Sequence, residues 1–550
     1  MKTKGGGRDG RRAGLGAIAG LLAAAAALGV GQFVAGITGA SGSPVVAVGG
    51  LQIDFTPPWL KNFAIANFGS NDKLILVSGI LVVIALFAAV IGEAATRRLW
   101  YGMAGLAVFA VIGLTAAATR PTASFASLLP TLAATAAAAA VLRILIPLAG
   151  PAARRDPAPW TADPWTAELS EEPEGEEPAP DELDQADEPG ELAEAGPGRR
   201  SFLTASAATV GIAAGAGLAG RLLAERSSVA SAQRALRIPK PTVSTSALPP
   251  GVNLDVPGLS SFVTSNAAFY RVDTAIVLPQ VDPGSWQLRI HGMVDREITI
   301  SFDELIKRPL IEDYVTLCCV SNPVDGPYIG NALWLGASLR GLLREAGIKA
   351  GADQLMCTSV DGFTSGTPVQ TVMDGRDALL AVAMNGTALP VAHGFPARMV
   401  VPGLYGYVSA TKWVTDINVT TFAGNYAYWA QRGWSQQAPI KTECRIDVPN
   451  GANQVSAGRT AIAGVAWAQH KGIDAVHVRV DGGPWNQATL AVVPGIDCWR
   501  QWVWEWEATG GNHVIEARAT DATGYTQTSF SAQPEPNGAS GYPMVTVPVA

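Results

Sequence analysis

The 550 residues carry 39 basic and 46 acidic side chains, a formal net charge of −7, with 48% hydrophobic and only 15% charged residues. Fifteen of the acidic residues and two basic ones (Arg154 and Arg155) fall within 151–198, so that segment holds −13 and the rest of the chain +6. No basic stripe exists on which a nucleic-acid role could rest, and the apolar excess, concentrated before residue 150, points to a membrane.

Four runs of Ala, Gly, Leu, Val and Ile, at 13–37, 74–92, 99–118 and 125–149, are long enough to cross a bilayer core and predict a four-span helical domain over 1–150. Basic residues flank them at Lys2, Lys4, Arg8, Arg11 and Arg12, at Arg97 and Arg98, and at Arg154 and Arg155. The positive-inside rule places all three groups, and the N-terminus, in the cytoplasm. Arg143 can snorkel to that same face. The loop 51–69, with Trp59 and several Phe, is expected along the outer membrane surface. The acidic, Pro-rich linker 151–198 cannot bury a core and reads as cytoplasmic and disordered.

Residues 199–226 form a fifth predicted span, built from Ala, Gly and Thr. Arg199-Arg200-Ser201-Phe202-Leu203 followed by this weakly hydrophobic run resembles a twin-arginine translocation signal; the alternative is an ordinary fifth helix. Either way an odd fifth crossing puts 227–550 outside. The twin-arginine reading adds that the exported part crosses folded, with a cofactor inserted beforehand in the cytosol.

A Pro/Ser-rich tether (227–256) follows. Alternating "WQLRIHGMV" and amphipathic "SFDELI" and "ASLRGLLREAGI" predict an α+β domain over 257–438. "AVHVRVDGGPW", "WRQWVWEWEA" and "NHVIEARATDATG" alternate with period two and predict an all-β sandwich over 439–550. The five cysteines are Cys318, Cys319, Cys357, Cys444 and Cys498, an odd number that leaves at least one without an intramolecular disulfide. Cys318 and Cys319 end an apolar strand with no metal-ligand spacing around them, which argues against zinc. Such a thiol is a nucleophile, a single soft ligand to a cofactor-bound metal, or an inert core group.

Three segments taken together, "TLCCVSNPVDG…IGNALWLG", "HGFPARMVVPGLYGYVSATKW" and "FYRVDTA", resemble the sulfite-oxidase family of molybdenum enzymes over roughly residues 250–545. The resemblance implies a molybdopterin-binding catalytic domain followed by an immunoglobulin-like domain that mediates homodimerisation. It implies two-electron oxygen-atom transfer on a small molecule, with molybdenum bound by one cysteine thiolate and the pterin dithiolene. The family's C-x-x-N turn fits Cys319-Val320-Ser321-Asn322, which makes Cys319 the ligand and Cys318 a packing residue. Carried over in the same way, Asn322, His393, Arg398, Ser409 and Lys412 bind the cofactor. Arg271 is expected both at the cofactor and at the reacting centre. Tyr405 or Tyr407 is expected to donate a hydrogen bond there, and Gly403 and Gly406 to admit the cofactor close to the backbone.

Two departures bear on the substrate. Pro323 and Val324 stand where sulfite oxidases have an arginine pair after the Asn, and Asp273 stands where the family's F-x-R-N-H has its histidine. One cation fewer and one carboxylate more make a neutral sulfoxide or N-oxide as plausible as dianionic sulfite. None of the five histidines (His291, His393, His470, His477, His513) precedes residue 291, and there is no C-x-x-C-H or iron–sulfur cysteine cluster. Neither haem nor an iron–sulfur cluster is therefore expected, and electrons require an external redox partner. The competing reading is an exported binding module that keeps the fold without catalysis.

Overall fold

The computed structural model describes residues 6–39, 42–57, 60, 72–120, 123–149, 197–226, 229–451 and 454–550. Most of the loop expected along the membrane surface, and the acidic linker up to residue 196, lie outside the described residues. The chain divides into two compact units: residues 1–49, 74–118 and 125–224 in the first, and 50–73, 119–124 and 225–550 in the second.

The first unit is helical. Five helices are long and apolar enough to cross a membrane: Arg11–Thr38, Leu74–Arg97, Leu99–Ala118, Phe125–Leu148 and Arg200–Leu223. They coincide with the five runs expected from hydropathy. Small residues let them approach closely. Gly16 and Gly20 of the first helix abut Gly92 and Ala88 of the second. Gly29 and Gly36 of the first abut Ala213 and Gly220 of the fifth, where a Cβ on Gly220 would meet the Gln32 carbonyl and the Phe33 backbone. Backbone-to-backbone packing of this kind is what holds helices together where no hydrophobic difference separates neighbour from solvent. Ala19, Ala23, Ala138, Leu142, Leu145 and Phe202 share the core, whereas Leu74, Val82, Leu86 and Val90 point outward.

The second unit opens with two sheets. Strands β1 (Gln287–Gly292), β2 (Ile298–Ser301), β5 (Gln354–Ser359), β6 (Thr364–Pro368) and β10 (Val414–Thr420) run in the order β2-β1-β10-β5-β6. Strands β3 (Leu310–Cys318), β4 (Ile329–Ser338), β7 (Leu379–Met384) and β8 (Thr387–Ala388) run in that order, and β9 (Arg398–Val400) pairs with β7. "SFDELI" forms the helix Phe302–Ile306, started by a capping box between Ser301 and Glu304. "ASLRGLLREAGI" forms the helix Leu339–Ala346, capped by Ser338 and ended by left-handed Gly347. The described part of the tether lies along this sheet. Thr242 N–H donates to the Leu310 carbonyl (2.8 Å), and Glu312 N–H donates to the Val243 carbonyl (2.9 Å).

The last 110 or so residues form two four-stranded antiparallel sheets. One comprises β11 (Glu443–Val448), β12 (Gly458–Trp467), β16 (Arg500–Ala508) and β15 (Thr489–Leu490). The other comprises β14 (Asn486–Gln487), β13 (Ile473–Val480), β17 (Gly511–Asp521) and β18 (Met544–Val549). Ile462, Trp502, Val476, Ala517 and Val547 fill the space between them. This last domain also braces β3 and the loop after it. Ile446 N–H donates to Asp325 Oδ1 (2.8 Å), Arg445 Nη1 donates to the Gly326 carbonyl (3.1 Å), and Trp499 N–H donates to Thr316 Oγ1 (2.7 Å). All five cysteines are free thiols.

Candidate cofactor site

Strand alternation separates the adjacent cysteines. Cys318, the last residue of β3, faces the core with no exposed surface, its thiol directed at the Cys319 carbonyl (3.5 Å). Cys319 is half-buried and turned the other way, its Sγ 2.9 Å from Ser321 Oγ. The following turn closes on itself. Asn322 N–H donates to the Cys319 carbonyl (3.1 Å), Cys319 N–H donates to the Tyr328 carbonyl (2.9 Å), and Tyr328 N–H donates to Asn322 Oδ1 (2.7 Å). Burial pushes the Cys318 thiol far up; burial raises Cys319 too, but the Ser321 hydrogen bonds and the Lys412 charge pull it back.

A cluster of cations faces this turn. Gly394 adopts a φ of 109°, and a Cβ there would stand 3.0 Å from Arg398 Cβ and 3.1 Å from Lys412 Cβ. Only glycine lets the loop fold back so closely. Arg398, in β9, bridges to Lys412 across the backbone. Its buried guanidinium donates to the carbonyls of His393 (3.2 Å) and Ala410 (3.3 Å) and lies 5.0 Å from the centre of the Trp334 ring. No carboxylate among the described residues forms an ion pair with it, and burial lowers its pKa to about 10. His393 sits with Nε2 3.2 Å from the Asn266 carbonyl. Burial, then the charges of Arg398 and Lys412, bring it down to about 4, so the ring is neutral at pH 7. Lys412 Nζ donates to Asp273 Oδ2 (2.8 Å) and to the Ala392 carbonyl (3.1 Å). Burial lowers it to about 8 against the pull of Asp273. Arg271 Nε donates to the same Asp273 oxygen at 2.9 Å, with its side chain 39% exposed.

The structure thus gathers Cys319, Arg271, His393, Arg398 and Lys412 around one region, with Asn322 holding the cysteine turn. The side chains of three other expected residues are engaged elsewhere. Tyr405 is only 1% exposed, its ring pressed against Gly538. Tyr407 Oη donates to the Ser435 carbonyl (2.6 Å). Ser409 Oγ donates to the carbonyls of Leu404 and Tyr405 (3.0 Å each), tying the short helix Gly406–Ser409. Gly403 is explained by Arg376, whose Nη1 would lie 2.6 Å from a Cβ there.

Sequence reasoning missed Tyr270, Ser321 and Trp334. Tyr270 stacks on Phe269 at 5.2 Å between ring centres, and Phe269 in turn meets His393 edge-to-face. Its hydroxyl would lie 3.9 Å from a Cβ on Gly406 and makes no hydrogen bond among the described residues. Burial raises its pKa strongly, and Cys319, Cys318 and Arg398 are the charges that act on it. The available signal was its place directly before Arg271 in "FYRVD".

The set fits an anionic cofactor. Of three cations, Arg271 and Lys412 share one carboxylate, Asp273, and Arg398 has none, while the buried Asn322 Nδ2 has no hydrogen-bond partner among the described residues. A phosphate and a hydrogen-bond acceptor would complete both.

The family described as "Oxidoreductase molybdopterin binding domain" matches residues 275–429. Sulfite oxidase of Gallus gallus is 29% identical over 327 residues, covering 50% of this chain and 68% of that protein. An uncharacterized oxidoreductase of Bacillus subtilis, YuiH, is 30% identical over 155 residues, covering 28% of this chain and 74% of that one. The chain spans about half the length of the mammalian mitochondrial sulfite oxidases it also matches. Among solved structures, the sulfane dehydrogenase SoxCD of Paracoccus pantotrophus is similar, with a TM-score of 0.46 and 22% identity, covering 52% of this chain and 83% of that one. With the thiol turn and the cation cluster in place, the chain belongs to the sulfite-oxidase family of molybdopterin-binding oxidoreductases.

Proposed function

We propose that this protein is a membrane-anchored, outward-facing molybdenum-cofactor oxidoreductase that carries out two-electron oxygen-atom transfer on a small neutral molecule. The observation that carries the proposal is the net-positive cluster of buried Arg398 and Lys412 with the more exposed Arg271, holding a single carboxylate, Asp273, near the half-buried Cys319. When bound, the molybdenum cofactor supplies the oxygen-atom exchange. Cys319 would ligate the metal through its thiolate. Arg398 and Lys412 would hold the pterin phosphate, His393 would support them as a neutral ring, and Asn322 Nδ2 would donate to the cofactor. Arg271 and Tyr270 would face the substrate.

The substrate class follows from Asp273, which holds both Arg271 and Lys412 and so cancels much of the positive field a dianion needs. A sulfoxide or N-oxide suits that field better than sulfite. The five apolar helices support five spans, and the basic residues flanking them support an N-terminus and linker inside and 227–550 outside. The two facing sheets of the last domain support an immunoglobulin-like fold, and the family resemblance implies a homodimer through it. An external redox partner would take or give the electrons.

The test is metal analysis of the full-length protein purified from membranes of a host able to make the cofactor, followed by turnover with sulfite, sulfoxides and N-oxides. Stoichiometric molybdenum with turnover of a neutral oxo compound is expected. Protein without molybdenum would leave the binding-module reading in its place, and turnover confined to sulfite would overturn the substrate class.

A further inference from the structure

Ser321 stands two residues past Cys319, in the turn the cysteine opens. Its hydroxyl oxygen is 2.9 Å from Cys319 Sγ and has no other hydrogen-bond partner among the described residues. Cys318 receives no such donor; its own thiol points to a backbone carbonyl. The turn does not need the serine hydroxyl, because Asn322 and the backbone bonds between Cys319 and Tyr328 close it. A local cap is not served either. Pro323, two residues on, has no N–H to offer. The contact with sulfur is what remains for this side chain.

In a free thiol either group could donate. A coordinated thiolate has no proton, so the hydroxyl becomes the donor and the sulfur the acceptor. Hydrogen bonds onto a ligating sulfur draw electron density from it, weaken its donation to the metal and raise the reduction potential of the centre. We propose that Ser321 is a positioning residue that orients the Cys319 thiolate and raises the potential of the metal it ligates, through donation by its hydroxyl. The inference rests on the molybdenum reading of the site.

The experiment compares wild type, Ser321→Ala and Ser321→Thr as full-length membrane-purified holoproteins, reading molybdenum content, midpoint potential by reductive titration, and the paramagnetic-resonance signature of the one-electron-reduced metal. Ser321→Ala is expected to load molybdenum as wild type does, with the potential shifted to lower values and the signature altered; Ser321→Thr, which keeps the hydroxyl, returns both toward wild type. Full loading of Ser321→Ala with potential and signature unchanged overturns the role of Ser321 and leaves the molybdenum reading standing. Absence of molybdenum from the wild type overturns both.

Discussion

Asp273 Oδ2 accepts hydrogen bonds from both Lys412 Nζ (2.8 Å) and Arg271 Nε (2.9 Å), and its carboxylate is almost wholly buried. One side chain therefore joins the inner cation of the cofactor pocket to the outer, half-exposed one. Breaking a buried pair from one side leaves a stranded charge and typically costs about 3–5 kcal/mol. Asp273→Asn should lower the unfolding midpoint of the cofactor-free protein and release Arg271. Sulfate or sulfite should then bind more tightly, by about tenfold for each 1.4 kcal/mol of recovered attraction. Calorimetric titration of both anions checks this; unchanged oxyanion affinity would show that Asp273 does not set the charge of the site.

His393 and Lys412 give the cofactor-free protein a readable pH dependence. The His393 pKa falls from 6.5 to about 4 on folding, so between those values the unfolded chain binds the extra proton. Stability is lost as pH falls through that window, and across the window the ring accounts for about 3 kcal/mol. His393→Gln should flatten this part of the acid limb in urea unfolding. Lys412 falls from 10.5 to about 8, so burial penalises its charged form fully below pH 8 and progressively less between pH 8 and 10.5. An anionic cofactor needs the charged form. Its affinity should therefore decline above pH 8 with proton uptake on binding, measurable as buffer-dependent binding heat.

The adjacent thiols should separate cleanly on mutation. Cys319→Ser removes the soft ligand but leaves Arg398, His393 and Lys412, so pterin should stay bound while turnover is lost. Cys318→Ala trims a fully buried side chain from the core around Tyr405 and Val408. It should cost about 1 kcal/mol of stability, near the transfer value of the atoms removed, and leave molybdenum content unchanged. Pterin fluorescence, metal analysis and thermal melting distinguish the two. Loss of metal in Cys318→Ala with retention in Cys319→Ser would exchange their roles.

Patterns that repeat along the chain were legible; relationships across it were not. Hydropathy marked all five long helices, since each declares itself within some twenty residues. Local motifs placed Cys319, His393, Arg398 and Lys412, and the structure brings these together. Asp273 was visible as a departure, but its partner Lys412 lies 139 residues away and no spacing rule connects them. Tyr405 looked like a donor in a Gly-rich loop; what buries it includes Gly538, from the far end of the chain. Tyr270 is the converse case, an unremarked neighbour of Arg271 that tertiary packing leaves with a free hydroxyl beside the thiol turn. The tether, marked in the sequence only by its Pro and Ser content, has Thr242 and Val243 in backbone bonds along β3 that depend only on extended main chain.

Gly394 is the backbone device that sets the cation cluster. At φ 109° an alanine is strained, at about 1–3 kcal/mol, and its Cβ would push on both Arg398 and Lys412. Gly394→Ala should lower the melting temperature and reduce cofactor retention together. Gly386, also at positive φ (73°) but with open space around it, is the control: Gly386→Ala should show only the backbone cost. Equal cofactor loss in both variants would mean that backbone strain, and not the spacing of Arg398 and Lys412, is what matters.

The fifth long helix packs against the first through small residues. Gly220 lies against Gln32 and Phe33 of the first helix, and Gly36 lies against Gly220 in return. A segment packed into the helical unit in this way is built to stay, which supports an uncleaved anchor over a removable leader. The paired arginines at its start have a separate job if the exported domain crosses folded around a cofactor loaded in the cytosol. Arg199→Lys with Arg200→Lys preserves charge, sidedness rules and helix packing, and changes only recognition of the pair. The variant should assemble its helices normally but leave residues 227–550 inaccessible to protease added from outside, with molybdenum-containing domain retained on the inner side. Protease accessibility of intact spheroplasts, together with metal content of the membranes, reads both. Wild-type accessibility with full molybdenum loading would reduce the motif to an ordinary basic flank.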